Sequence, residues 1–490
     1  MNRFGSLLLL LIMLPLGLYA QKPDTPAALT MDQALQIALA NNRQIRKAVL
    51  DVESSDQQIR QAWGNVMPQI NSSVSYVRNV EIPVTFIPEV IFNPQGDPNN
   101  LIPAEFGTDN NWQGGFSVQQ VIFQGQAFVG ISSAELVQSL RNEQLRAVTQ
   151  QVLTQTRAYY LNVLIARQQL ELRKESLKRI KKNLEENRAR YEEGLIDEYS
   201  VMQLEVQLES QQPMVDQAQY QLNDAYRQLK NHLGVDDRFD FTVKGNLSEY
   251  RIHEENDNPG NRQLQKISRM VDVSEYLAMQ DEKDPVPEPL LRNRADFQLN
   301  QFQTDLKEKE IKSIKSNFLP SVVANYNLNW NAAEPGSPNF FGDEQQRARS
   351  QTLMFNVSLP LFTGFQRHAN LRQAQIDKKQ LALDREQVKN DASSQIKSLL
   401  DRLDQLKKMY DGQQKAVETA REGYRIAREQ YRNGVGSQLD VTNAELALRQ
   451  AKLSFSQTIF NYLNTKAQLD AAIGQVPLVD VNQPEKSSDR

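Results

Sequence analysis

The residues of this chain that could carry out chemistry are few in kind. Histidine occurs three times, as His232, His253 and His368, with no shared metal-ligand spacing. Cysteine is absent, which excludes disulfides, thiolate metal sites and a lipid attached to an N-terminal cysteine. No phosphate loop is present, and no nucleophile stands in a motif with its base. Carboxylates are plentiful, yet no spacing singles out a buried pair. The expectation is a protein that is not an enzyme and needs no cofactor and no metal. Two short runs stand out instead, Y-E-E-G-L-I-D-E at 191–198 and Y-R-N-G-V-G-S-Q-L-D at 431–440. Gly194 and Gly434 suit helix C-termini, where a glycine is free to turn left-handed. Asp440 suits an N-cap. Tyr191, Tyr424 and Tyr431 read as packing residues, and the Lys- and Glu-rich run 171–193 as a solvated helix face.

The chain that must position these runs carries a leader. Arg3 gives a positive start, Leu7 to Leu18 form an apolar run, and Ala20 ends a cleavage site, so residues 1–20 read as a secretory signal peptide. Pro15 and Gly17 interrupt the run, which is shorter than the ~20 apolar residues of a membrane helix. No later stretch reaches that length, and the mean hydropathy is −0.58. Helical membrane spans are excluded; a closed β-barrel, whose strands only alternate in hydrophobicity, is not. A net charge of −4 argues against a nucleic-acid partner.

Internal repetition fixes the architecture. Gly194 and Gly434, like Gly234 and Gly474, stand 240 residues apart (434 − 194 and 474 − 234). V-I-F-Q-G at 121–125 matches P-L-F-T-G at 360–364, and M-P-Q-I at 67–70 matches L-P-S-V at 319–322. The second pair is further apart than the first, which a longer loop over 79–111 explains. In the second half Leu403, Leu406, Tyr410, Gln413, Val417, Ala420, Tyr424, Ala427 and Tyr431 recur at steps of three and four. Their counterparts are Val163, Ala166, Leu170, Arg173, Leu177, Ile180, Leu184, Asn187 and Tyr191. This seam of ~3.5 residues asks helices to pack side by side. The pattern predicts long helices over 126–193 and 366–433, returning helices over 201–233 and 440–473, and leading helices over 31–66 and 288–317. Pro213 should bend or break the first returning helix. The organisation is a first repeat over 21–234, an inter-repeat segment over 235–287, a second repeat over 288–474 and a tail over 475–490.

Four segments have the other period. In 322–331, Val322, Ala324, Tyr326, Leu328 and Trp330 alternate with residues that are mostly asparagine. Segments 353–361, 70–77 and 112–122 alternate too, the last with Trp112, Phe116, Val118 and Ile122 on one face. This suits a membrane barrel with a wet lumen, Trp112, Tyr326 and Trp330 marking an interface girdle. A half-buried soluble sheet gives the same alternation. In lipid four strands cannot close, since every backbone group needs a partner. Several chains must share one barrel; three would give twelve strands, and composition leaves two or four open.

With its duplicated organisation, the M-P-Q-I, F-L-P-S and P-L-F-T-G junctions, and the run G-V-G-S-Q-L-D-V-T-N-A-E at 434–445, the chain resembles the TolC-type outer-membrane efflux proteins over about 30–474. The resemblance implies an α+β membrane protein: a homotrimeric, twelve-stranded β-barrel with four strands per chain, continued by a long α-helical barrel and girdled by a mixed equatorial belt. It implies an outer-membrane location in a Gram-negative bacterium, extension into the periplasm, contact with outer-membrane lipid, and docking on a periplasmic adaptor that serves an inner-membrane pump of the RND or ABC type. It implies that Gly194, Leu195, Gly434, Val435 and Ser437 lie at docking tips, and that Asp440 faces a pore constriction to which Asp197 and Glu198 add negative charge. The family's best-described member has a second aspartate and an arginine where this chain has Asn443 and Gly436, so a latch built on those charges does not carry over.

The function expected is passive conduction, with multidrug efflux first and type I secretion second. The alternative is a soluble periplasmic coiled-coil adaptor or scaffold, which would be recovered as a soluble protein.

Overall fold

The computed structural model describes residues 28–236, 238–253, 291–336 and 347–474. The stretch 1–20 expected to be a signal peptide, most of the inter-repeat segment and the tail over 475–490 lie outside the described residues. The chain forms two compact units, one of residues 46–148 and 285–393, the other of 1–45, 149–284 and 394–490.

The first-named unit is built on a four-stranded antiparallel sheet. Its strands are β1 (Gln69–Arg78), β4 (Asn110–Phe123), β5 (Ser321–Glu334) and β6 (Arg347–Ser358), in the order β1-β4-β5-β6. The pairing aligns the two kinds of residue across all four strands. Ile70, Val118, Tyr326 and Leu353 form one row, and Ser72, Phe116, Leu328 and Gln351 another on the same face. Between them, on the opposite face, lie Asn71, Ser117, Asn327 and Thr352. Near its end β4 bulges between Val121 and Phe123, so that Phe123 rather than Ile122 pairs with Val322. The extra residue changes the parity expected for Ile122. The sixth strand stops at Ser358, short of the Pro360 that follows, and leaves Leu359 and Leu361 outside the ladder.

The 79–111 connection is more than a loop. It carries a hairpin of β2 (Val84–Pro88) and β3 (Leu101–Glu105) joined through a 3-10 turn at Glu89–Ile91. Pro88 and Pro103 hide these strands from a periodicity reading; in a two-stranded ribbon one side of each strand is an edge that asks no N–H of a proline.

Helices enter this sheet at one end. The helix α2 (Arg43–Gly64) runs toward β1, and α5 (Ala295–Ser316) toward β5. The fourth strand leads into α3 (Gly125–Glu192), 68 residues, and β6 toward α6 (Gln366–Arg432), 67 residues. At ~1.5 Å per residue each spans roughly 100 Å.

In the other unit the long helices meet α4 (Glu198–Leu233), α7 (Gln438–Ala472) and α1 (Met31–Asn41). Leu170 and Leu177 pack on Val215 and Ala218, and Leu184 packs on Val201 and Leu204, so α4 returns along α3. Pro213 does not end α4, which is one helix through that position. Position 213 is exposed, and the loss is confined to one backbone hydrogen bond facing water. The leading helix, in contrast, is broken in two. Asn42 takes an extended conformation, its Nδ2 donates to the His232 carbonyl at 2.7 Å, and its Oδ1 accepts from the Gln44 N–H at 2.8 Å. A side chain that caps α2 while holding the end of α4 offsets the lost helical turn. Part of the inter-repeat segment wraps this unit: Leu29 bridges to Val243, and the Tyr160 hydroxyl donates to the carbonyls of Leu29 (2.9 Å) and Lys244 (2.5 Å).

Candidate functional site

The two helical turns have the same construction. At the end of α3 the Gly194 N–H reaches the Tyr191 carbonyl (2.8 Å) and the Leu195 N–H the Arg190 carbonyl (2.8 Å), with Gly194 at φ 73°. At the end of α6 the Gly434 N–H reaches Tyr431 (3.1 Å) and the Val435 N–H reaches Gln430 (3.0 Å), with Gly434 at φ 76°. Both are Schellman endings, in which a left-handed glycine lets two amides satisfy the last carbonyls. Gly194, Leu195, Gly434, Val435 and Ser437 are all exposed.

The acidic residues start the returning helices. Asp197 is the N-cap of α4; its Oδ1 accepts from the Ser200 N–H at 3.1 Å and the Ser200 hydroxyl at 2.5 Å. Asp440 is not the N-cap of α7. Ser437 holds that position, and Asp440 closes a capping box, accepting from the Ser437 N–H (3.0 Å) and hydroxyl (2.6 Å). The Ser200 hydroxyl lowers the Asp197 pKa, and the Ser437 hydroxyl lowers that of Asp440. Both carboxylates are therefore ionised at neutral pH and, with Glu198, exposed to solvent beside a helix N-terminus. Gly436 sits tight, since a Cβ there would lie 3.1 Å from the Gln430 Cβ.

Between the turns a polar contact crosses from one hairpin to the other. The Tyr431 hydroxyl donates to Asn187 Oδ1, and Asn187 Nδ2 donates to the Asn183 carbonyl at 2.7 Å. Arg190 covers the Tyr431 ring at 5.0 Å from its centroid. The counterpart of Tyr431 in the first half, Tyr191, is exposed. At this one step of the duplicated seam the second copy is half-buried and the first is open.

Further along, α3 and α7 run antiparallel and are joined by buried charge. Glu445, 2 % exposed, accepts from the Ser176 hydroxyl (2.5 Å) and Arg179 (3.2 Å). Arg157 and Asp470 pair at 3.2 Å. The sequence singled out no buried carboxylates, and the structure buries two, Glu445 and Asp470, not as a pair but each against an arginine of α3. Periodicity reports which face is covered, not whether the cover is apolar, so only the α3–α7 pairing makes them visible.

The histidines are junction residues. His232 Nε2 lies 3.0 Å from Thr156 Oγ1 and 3.2 Å from the Val152 carbonyl; burial lowers its pKa. His253 meets Asp411 at 2.7 Å, and His368 stands edge-on to Phe318. Among the described residues no cluster of His, Asp and Glu could hold a metal ion. No described helix is long and apolar enough to cross a membrane.

On the sheet, Trp112 and Trp330 stand in neighbouring rows of the apolar face. Tyr326 lies four residues further along β5. Tyr76, which the sequence reading did not single out, stacks on Trp112 with ring centroids 4.2 Å apart.

A twice-repeated unit of two strands and a long helical hairpin, with one apolar and one amide-rich sheet face, defines the class: the architecture of the outer-membrane channels. The family profile described as "Outer membrane efflux protein" matches residues 34–235 and 286–475, and the chain belongs to that family. Its place is the outer membrane of a Gram-negative cell, with part of the chain in the periplasm. Solved structures share the fold. The Campylobacter jejuni CmeC outer membrane channel is 17% identical, with a TM-score of 0.68 over 91% of this chain and 85% of that one. The outer membrane protein VceC of Vibrio cholerae is 16% identical, with a TM-score of 0.65 over 91% and 96%. The Neisseria gonorrhoeae MtrE outer membrane channel, in its open state, is 17% identical, with a TM-score of 0.67 over 91% and 89%. No curated protein matches the sequence.

Proposed function

We propose that this protein is a passive exit duct for small molecules expelled from the cell, energised by a pump in another membrane. The observation that carries the reading is the strand register, which gives all four strands a common apolar face and a common amide-rich face. In lipid the edges β1 and β6 need partners. Three chains, each giving four strands, close a barrel of twelve. The amide face lines water, and Trp112, Trp330 and Tyr76 stand at one interface with Tyr326 deeper. The long helices of the three chains form a tunnel through the periplasm.

The turns form the far end of that tunnel. Gly194, Leu195, Gly434, Val435 and Ser437 meet a periplasmic adaptor, which joins the duct to an inner-membrane pump of the RND or ABC type. Asp440, Asp197 and Glu198 make an acidic constriction that favours cations. Adaptor docking parts the hairpins and widens it. Multidrug efflux is the first duty proposed and type I protein secretion the second; the family's description supports efflux and names no cargo.

Single-channel recording in planar bilayers tests the constriction. Asp197→Ala with Asp440→Ala should raise conductance and weaken cation preference. Asp197→Asn with Asp440→Asn keeps the capping oxygens and removes only charge, so it should weaken cation preference alone. Currents and selectivity unchanged in both would overturn the assignment.

A further inference from the structure

On the apolar face of the sheet, Gly114 leaves a notch. Its same-face neighbours are Val74 and Trp330 across the strands, and Trp112 and Phe116 along β4. A cavity of about 330 Å³ opens there, lined by Val74, Trp112, Phe116, Trp330 and Arg347 among others. Arg349 stands directly opposite Trp330 in the same row as Gly114. Two arginines therefore border an apolar recess, on a face whose other rows are mostly aliphatic or aromatic.

The two adjacent glycines have different reasons to be glycine. A Cβ on Gly115 would lie 2.5 Å from the Leu328 carbonyl oxygen, so the protein's own backbone demands it. A Cβ on Gly114 would meet only Val74 Cγ2 at 3.6 Å and the Ser73 carbonyl at 3.8 Å, ordinary contacts. The protein has room for a side chain at 114. Glycine weakens a strand interior and marks close approach by something else. Four apolar residues around the gap call for a hydrocarbon chain. The guanidiniums call for an anion, and Arg349, whose guanidinium lies beside the Gln351 side-chain amide, has further donors to give. The end of the sheet bearing Arg347 is the one away from the helices, hence the outer leaflet if the helices cross the periplasm.

We propose that this notch is a binding site for one phosphorylated lipid of the outer leaflet, an acyl chain lying over Gly114 between Trp112, Phe116 and Trp330 and a phosphate group on Arg349 and Arg347. The proposal rests on the reading that this face touches lipid. Two basic groups at a membrane surface enrich an anionic lipid roughly tenfold or more over a neutral one.

The chain has three tryptophans, and two of them rim the notch. With Trp63→Phe as background, the full-length protein is reconstituted in phosphatidylcholine containing a few per cent of brominated-chain phosphatidic acid or, separately, brominated-chain phosphatidylcholine. Bromine quenches a tryptophan it touches. Phosphatidic acid should quench at a mole fraction roughly tenfold lower than phosphatidylcholine. Gly114→Val, which fills the gap with a residue that favours strands, and Arg347→Gln with Arg349→Gln should each remove that preference; Arg349→Lys should retain part of it. Equal quenching by both lipids would overturn the site while leaving the face in lipid. No quenching by either would overturn the site together with the membrane reading beneath it.

Discussion

Arg157 on α3 and Asp470 on α7 face each other at 3.2 Å, 1 % and 2 % exposed, inside the helical unit. Burial lowers the Arg157 pKa, and the Asp470 carboxylate raises it again, so each charge is tolerated because the other is there. The pair fixes one register of α3 against α7, since a shift of one turn would strand both charges away from water.

Removing one partner should therefore cost more than removing both. Asp470→Ala should destabilise by about 3–5 kcal/mol, whereas Arg157→Met with Asp470→Leu should come within about 1 kcal/mol of wild type or exceed it. Guanidinium unfolding followed by far-ultraviolet circular dichroism distinguishes the cases. Equal losses for the single and double variants would show that the pair is solvated.

The Tyr431–Asn187 contact joins the two hairpins beside their turns. Tyr431→Phe deletes the hydroxyl and keeps the ring under Arg190. The loss of one such bond, about 1 kcal/mol, should shift the balance between joined and parted turns roughly fivefold. Open probability in planar bilayers reads that shift. Asn187→Ala should produce a similar change, and the double variant should add little, because the two residues make one contact.

His232 supplies the pH dependence of this unit. Burial lowers its pKa below the ordinary 6.5. As pH falls through 6.5 the unfolded chain takes up a proton that the folded chain still refuses, so stability falls until the folded pKa is reached. Asp197 and Asp440 act in a lower window: their depressed pKa values give stability that is present above about 3.8 and lost as pH falls below it. Thermal unfolding midpoints at pH 7.5 and 5.5 should differ in wild type and converge in His232→Gln. A gap of equal size in both would assign the dependence elsewhere.

Much of this was legible because it is periodic. The 3.5-residue seam found α3 and α6 to within one residue at each end, since a buried stripe leaves its mark at every turn. The strand alternation found the sheet and its two faces, and the glycine runs found both turns. What escaped depends on partners distant in sequence. Asn42 breaks the leading helix only because the His232 carbonyl is there to receive it. Asp440 has a different capping role from the one expected because Ser437 stands three residues before it. Glu445 and Asp470 interrupt no pattern when they are buried, for each is matched from another helix. The hairpin β2–β3 is disguised by its own prolines.

The central claim is that alternate residues of the strands face lipid and water. The chain has no cysteine, so single cysteines can be introduced one at a time at Asn325, Tyr326, Asn327, Leu328 and Asn329 in cells. A charged, membrane-impermeant maleimide should label the positions of Asn325, Asn327 and Asn329 and spare those of Tyr326 and Leu328. Equal labelling along the strand, or recovery of the mature chain as a freely soluble monomer, would contradict the account.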